Sequence, residues 1–181
     1  GVIHGVGELH ALNLQIWLNF SLSIILVFAL WWLFFTLISD RTCKPGFINS
    51  SLLELLYIPT LIALGLIGMS FGGLFERFEE MEAGVFSFKA IFGLSLCLFL
   101  LGINMMLYLL EYPPPYHRLK QRSQLVLYVA LVLVVVATFA RIDLSLFTYL
   151  LIILGLILAV IFLLNYSWYS MHTNTQMDPK T

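Results

Sequence analysis

The chain has 181 residues, 61% of them hydrophobic and only 10% charged, with a formal net charge of −1 and a mean hydropathy of +0.98. A soluble domain of this composition would leave a large apolar surface in water, whereas repeated apolar runs of lipid length are the mark of membrane helices. The near-neutral charge offers no footprint for nucleic acid, and Cys43 and Cys97 lack the spacing of a disulfide framework or a metal knuckle.

Starting at Gly1 rather than Met, the chain is expected to have lost an upstream segment. Gly1 to Leu12 reads as a short amphipathic lead carrying His4, Glu8 and His10. A first span follows from about Leu14 to Ile38, with Trp17 toward one end and Trp31–Trp32 toward the other. Trp favours the interface, where its ring is buried and its N–H stays wet. Asp40, Arg41, Lys44, Pro45 and Gly46 then make a turn-rich loop.

The second span, Leu52 to Phe75, is the most informative stretch. It opens with a carboxylate, Glu54. Pro59 lacks an N–H and kinks the helix or marks its first turn. Gly65, Gly68, Ser70, Gly72 and Gly73 give it small faces that let another helix approach closely. Glu76, Arg77, Glu79, Glu80 and Glu82 close it in an acidic loop.

A third span runs from about Val85 to Leu110, in which Ser95 and Asn104 can hydrogen-bond a neighbouring helix. Glu111 to Gln124 is a polar loop, stiffened by Pro113–Pro115 and basic through His117, Arg118, Lys120 and Arg122. The stretch from Leu125 to Tyr166 is about twice the hydrocarbon thickness at 1.5 Å per residue. Arg141 and Asp143 divide it into two spans, about Gln124–Ala140 and Leu144–Tyr166, with Asp143 able to cap the second. The tail from Ser167 is polar and expected to be mobile.

The fold class is therefore all-α, a polytopic membrane protein of five transmembrane helices. The first loop and the Glu111–Arg122 loop are basic and the Glu76–Glu82 loop acidic. The positive-inside rule then puts the N-terminus outside and the C-terminus inside.

Several motifs carry two readings. Glu54 is either a proton-accepting carboxylate at the mouth of an intramembrane path, or a helix-start carboxylate favoured by the dipole, with Ser50 and Ser51 capping upstream. His4, Glu8 and His10 are a metal set or a solvated lead, and no histidine lies mid-membrane to clamp a haem. Pro113–Pro114–Pro115–Tyr116 is a WW-domain ligand or a stiff loop. Asn49–Ser50–Ser51 has the form of a glycosylation sequon but falls on the inside. Arg141 and Asp143 pair across a cavity or mark an interfacial turn.

The first two spans resemble the transmembrane hairpin of cytochrome c oxidase subunit II. The points of likeness are Glu8–Leu9–His10 in the lead, the Leu/aromatic run Leu26–Leu37, and Glu54, Tyr57 and Pro59 opening the second helix. Ser70, Phe71, Leu74, Phe75 and the acidic exit Glu79–Glu80 follow. The likeness covers about 75 residues of an apolar pattern that many chains share. Tyr57 stands where the family has Trp, and Pro59 sits closer to the Glu than usual. The family's copper-binding domain, with its Cys-x-x-x-Cys, is missing from this sequence.

The resemblance implies the membrane half of a split subunit II, residues 1–82, followed by an additional three-helix region, residues 83–181. It implies no cofactor in this chain and a separate copper-domain chain as partner, beside other membrane subunits and lipids. It further implies the mitochondrial inner membrane, with the first loop in the matrix. The family's second-helix Glu lies at the entrance of the K pathway for protons, and by the resemblance that role falls on Glu54. The competing expectations are an accessory structural subunit of another large membrane complex and a small channel or transporter. The channel needs several polar groups inside the spans, and the sequence offers few beyond Thr60 and Asn104.

Overall fold

The computed structural model describes residues 2–38, 42–77, 88–112, 117–140 and 144–177, with side chains except at 2–13, 15, 75–77, 117–118 and 171–177. Five helices account for nearly all of it: α1 (Val2–Ile38), α2 (Phe47–Arg77), α3 (Phe88–Leu109), α4 (His117–Phe139) and α5 (Leu146–Met177). Each holds a stretch long and apolar enough to cross a membrane. The chain is an all-α integral membrane protein.

Helix ends differ from the sequence reading where the backbone outruns the apolar run. The lead is no separate segment, because α1 is continuous from Val2. The start of α4 lies at His117 rather than Gln124, and α5 continues through the polar tail to Met177. Hydropathy marks only the part of a helix that lies in lipid, whereas the i→i−4 ladder continues through residues of ordinary helix propensity. Ser50 and Ser51 do not cap α2. Its first turn starts after Gly46, whose φ of 127° is open to glycine, and the Asn49 side-chain amide donates to Pro45 O at 3.1 Å. Ser145 is the N-cap of α5, with the Thr148 N–H donating to its Oγ at 3.3 Å. Asp143 and Arg141 lie outside the described residues, as does Pro113–Tyr116.

Neighbouring helices follow the order α2–α3–α4–α5–α1, and α1 also touches α3. The α3 helix is central, with 61% of its span buried, against 17% for α2 at the edge. Two seams hold α3 in place by close approach. On the α2 side, Gly73 faces the Phe88 ring and Gly102 faces Thr60. On the α4 side, Gly93 faces Thr138. A Cβ at Gly73, Gly93 or Gly102 would overlap its neighbour, so glycine sets the interhelical distance there.

One apolar core draws on all five helices, from Leu26, Leu30 and Leu33 through Ile67, Phe92 and Phe99 to Val134, Tyr149 and Ile157. Phe34 packs edge-on against Tyr57 at 5.7 Å, joining α1 to α2 near their connecting loop. Farther along, the two helices splay apart.

A short backbone clasp joins the two loops at that end. Lys44 N–H donates to Leu109 O and Glu111 N–H to Thr42 O, both at 2.9 Å. This pairing places the α1–α2 and α3–α4 connections on one side of the membrane, as five antiparallel crossings require.

Candidate functional site

Glu54 lies about 10 Å into α2 at 1.5 Å per residue, exposed, with no partner among the described residues. The dipole-favoured first-turn position expected for it is taken by Phe47–Ser50 instead. At 3.6 residues per turn, Glu54, Leu61, Gly65, Gly68 and Gly72 share a stripe about 60° wide. All five are exposed, and a Cβ built on any of the three glycines meets nothing within 4 Å. The glycines of α2 thus divide. Gly73 packs inside the bundle, and the stripe faces out.

The splay between α1 and α2 opens a groove of about 540 Å³ alongside this stripe. Phe20, Ile24, Val27 and Phe28 form its α1 wall, and Gly68, Phe71 and Gly72 its α2 wall. Ser23 also lines it, but its hydroxyl is turned back to Asn19 O at 2.9 Å. The groove is otherwise apolar.

A second concentration of chemistry sits at the end that holds the clasp. Lys120 is only 7% exposed. Its Nζ donates to Leu110 O at 3.0 Å and to Tyr108 O at 3.3 Å, and stands 5.7 Å from the Tyr112 ring centroid. With Lys44 N–H on Leu109 O, the carbonyls of Tyr108, Leu109 and Leu110 at the end of α3 each have a donor, and a cation stands at the negative end of the helix dipole. Beside Lys120 lies a cavity of about 290 Å³ between α1, α4 and α5, lined by Thr36, Leu37, Tyr112, Leu119, Ser123, Leu164, Asn165 and Trp168.

The sequence reading counted Lys120 as one of several loop cations and missed its burial. Its burial follows from α4 starting at His117, which the sequence does not mark. Lys44 and Arg122 are exposed at this end.

Asn104 behaves differently from the expectation of an interhelical bond. It is 1% exposed, and neither its amide nitrogen nor its oxygen has a partner among the described residues. Ser95 is buried. The side chains of His4, Glu8 and His10 lie outside the described residues, and among the described residues no three His, Cys, Asp or Glu come together. Cys43 and Cys97 are free thiols. No protein-family model, curated protein or solved structure matches the chain.

Proposed function

We propose that this chain is a non-redox membrane subunit of a larger membrane complex, docked through the outward face of α2. The observation that carries this reading is the stripe of Glu54, Gly65, Gly68 and Gly72, which no other described residue covers. In hydrocarbon an ionised carboxylate costs several kcal/mol, on the order of 3 at mid-bilayer. Glycine gives lipid nothing to pack on but lets a second helix approach closely. A transmembrane helix of a neighbouring subunit, laid along the stripe and into the α1–α2 groove, resolves both.

The resemblance of α1 and α2 to the hairpin of cytochrome c oxidase subunit II gives the finer form of the proposal. The complex is then a respiratory oxidase of the mitochondrial inner membrane. The copper domain is a separate chain, and Glu54 takes up protons at a contact with the catalytic subunit. The channel reading has less behind it, because the buried polar side chains of the described residues are few and mostly hydroxyls, such as those of Thr60, Ser70, Ser95 and Thr138 beside Asn104.

Purification of the full chain in mild detergent, with mass spectrometry of what accompanies it and a visible spectrum, tests both levels. Haem a absorption together with a copper-domain polypeptide supports the oxidase form. A different large complex keeps the docking proposal and removes the oxidase. A chain that purifies alone, and whose photo-crosslinker at Leu61 captures no more protein than one at lipid-facing Leu158, overturns the docking proposal.

A further inference from the structure

Lys120 presents a physical problem that the fold does not solve by itself. An ammonium withdrawn from water needs a counter-charge or a full set of hydrogen bonds. Lys120 has three N–H donors. Two go to Leu110 O and Tyr108 O, and among the described residues no carboxylate pairs with the third. The carbonyls and the Tyr112 ring soften the charge but leave it uncompensated.

Tyr112 is also a wall of the cavity between α1, α4 and α5, and Leu119 and Ser123 flank Lys120 on α4. Thr36 of α1 and Asn165 of α5 bring a hydroxyl and an amide to this cavity, the Ser123 hydroxyl being turned back to Leu119 O at 2.9 Å, and Trp168, 46% exposed, lines it as well. Its depth matches the membrane interface, since the spans at this end stop at Ile38, Leu119 and Ser170. The lining also includes the apolar side chains of Leu37, Leu119 and Leu164.

We propose that this cavity binds a phosphate group, and that the phosphate belongs to the headgroup of an anionic phospholipid. Thr36 and Asn165 offer hydrogen bonds to the phosphate oxygens. Lys120 supplies the positive field from behind Tyr112. The acyl chains descend along the apolar wall. Basic pockets between transmembrane helices on the inside face suit such headgroups. The site is independent of which complex the chain belongs to.

Native mass spectrometry of the full chain, released from detergent with phosphatidylglycerol or phosphatidylcholine, tests the assignment. Wild type is expected to retain one phosphatidylglycerol over phosphatidylcholine by about fivefold, the factor that one cation contributes at an anionic headgroup. Lys120→Met is expected to lose the preference. Because Lys120 also caps α3, Thr36→Val with Asn165→Leu is the companion variant, expected to lose the preference while its thermal unfolding stays that of wild type. Equal retention of the two lipids by wild type overturns the proposal, and so does an unchanged preference in both variants. Displacement of phosphatidylglycerol by millimolar inorganic phosphate would assign the site to free phosphate and overturn the headgroup.

Discussion

Thr60 on α2 lies directly over Gly102 on α3, where its hydroxyl, donating to Leu56 O at 2.7 Å, occupies the space a Cβ would need. The backbones of α2 and α3 are locked at this point, one residue past Pro59. Overpacking of such a contact costs about 1–3 kcal/mol. Gly102→Val is therefore expected to lower the SDS-unfolding midpoint of the purified chain by an amount in that range. Gly65→Ala, which meets nothing within 4 Å, should leave it within about 1 kcal/mol of wild type. Equal effects of the two substitutions would mean that α2 and α3 are not in close contact at Gly102.

Asn104 offers the opposite sign. A buried amide without partners costs about 1–3 kcal/mol in desolvation, and an apolar group of similar shape removes that cost. Asn104→Leu is expected to raise stability by about 1 kcal/mol within that range, read by the same unfolding assay. A fall of similar size would reveal that the amide is held by a partner contributed from outside the described residues.

Ser145 caps α5 through its Oγ, which accepts from the Thr148 N–H and meets Thr148 Oγ1 at 2.8 Å. Ser145→Ala should cost about 1 kcal/mol, and Ser145→Asp should restore most of it. Failure of the aspartate to rescue would argue against capping as the role of this serine.

Glu54 is tested in the assembled complex. If the carboxylate takes up protons for an oxidase, Glu54→Gln should assemble normally and slow proton uptake and turnover by at least about tenfold, a modest figure for loss of a proton-transfer group. Normal assembly with unchanged turnover would remove Glu54 from the proton path and leave it a docking residue. A variant that fails to assemble is compared with Gly68→Leu, which blocks the same face without touching the carboxylate.

The five spans were legible in the sequence because lipid length and apolar content are properties of a local window. The division of Leu125–Tyr166 near Arg141 was legible for the same reason. Which face of each helix packs was not. The small residues of α2 announce a close contact, but Gly73 meets Phe88 while Gly65, Gly68 and Gly72 meet nothing, and only the placement of α3 decides between them. Lys120 escaped notice because a cation in a basic loop is normally solvated. Its burial depends on Tyr108 of α3 and on Leu110 just beyond that helix. The caps were misplaced by a few residues because residues able to cap cluster near both helix starts, Asn49, Ser50 and Ser51 at one and Asp143 and Ser145 at the other, and each choice turns on geometry rather than composition.

The backbone clasp between Thr42–Lys44 and Leu109–Glu111 has a bearing on how the chain is made. Its two strands belong to different hairpins, and the second is synthesised more than sixty residues after the first. Until α3 has crossed the membrane back to the side of the first loop, the Lys44 N–H and the Thr42 carbonyl can only bond to water. The clasp then closes in one step, on the side where both loops are retained. A chain threaded with the wrong orientation of α3 would leave both of these hydrogen bonds unmade.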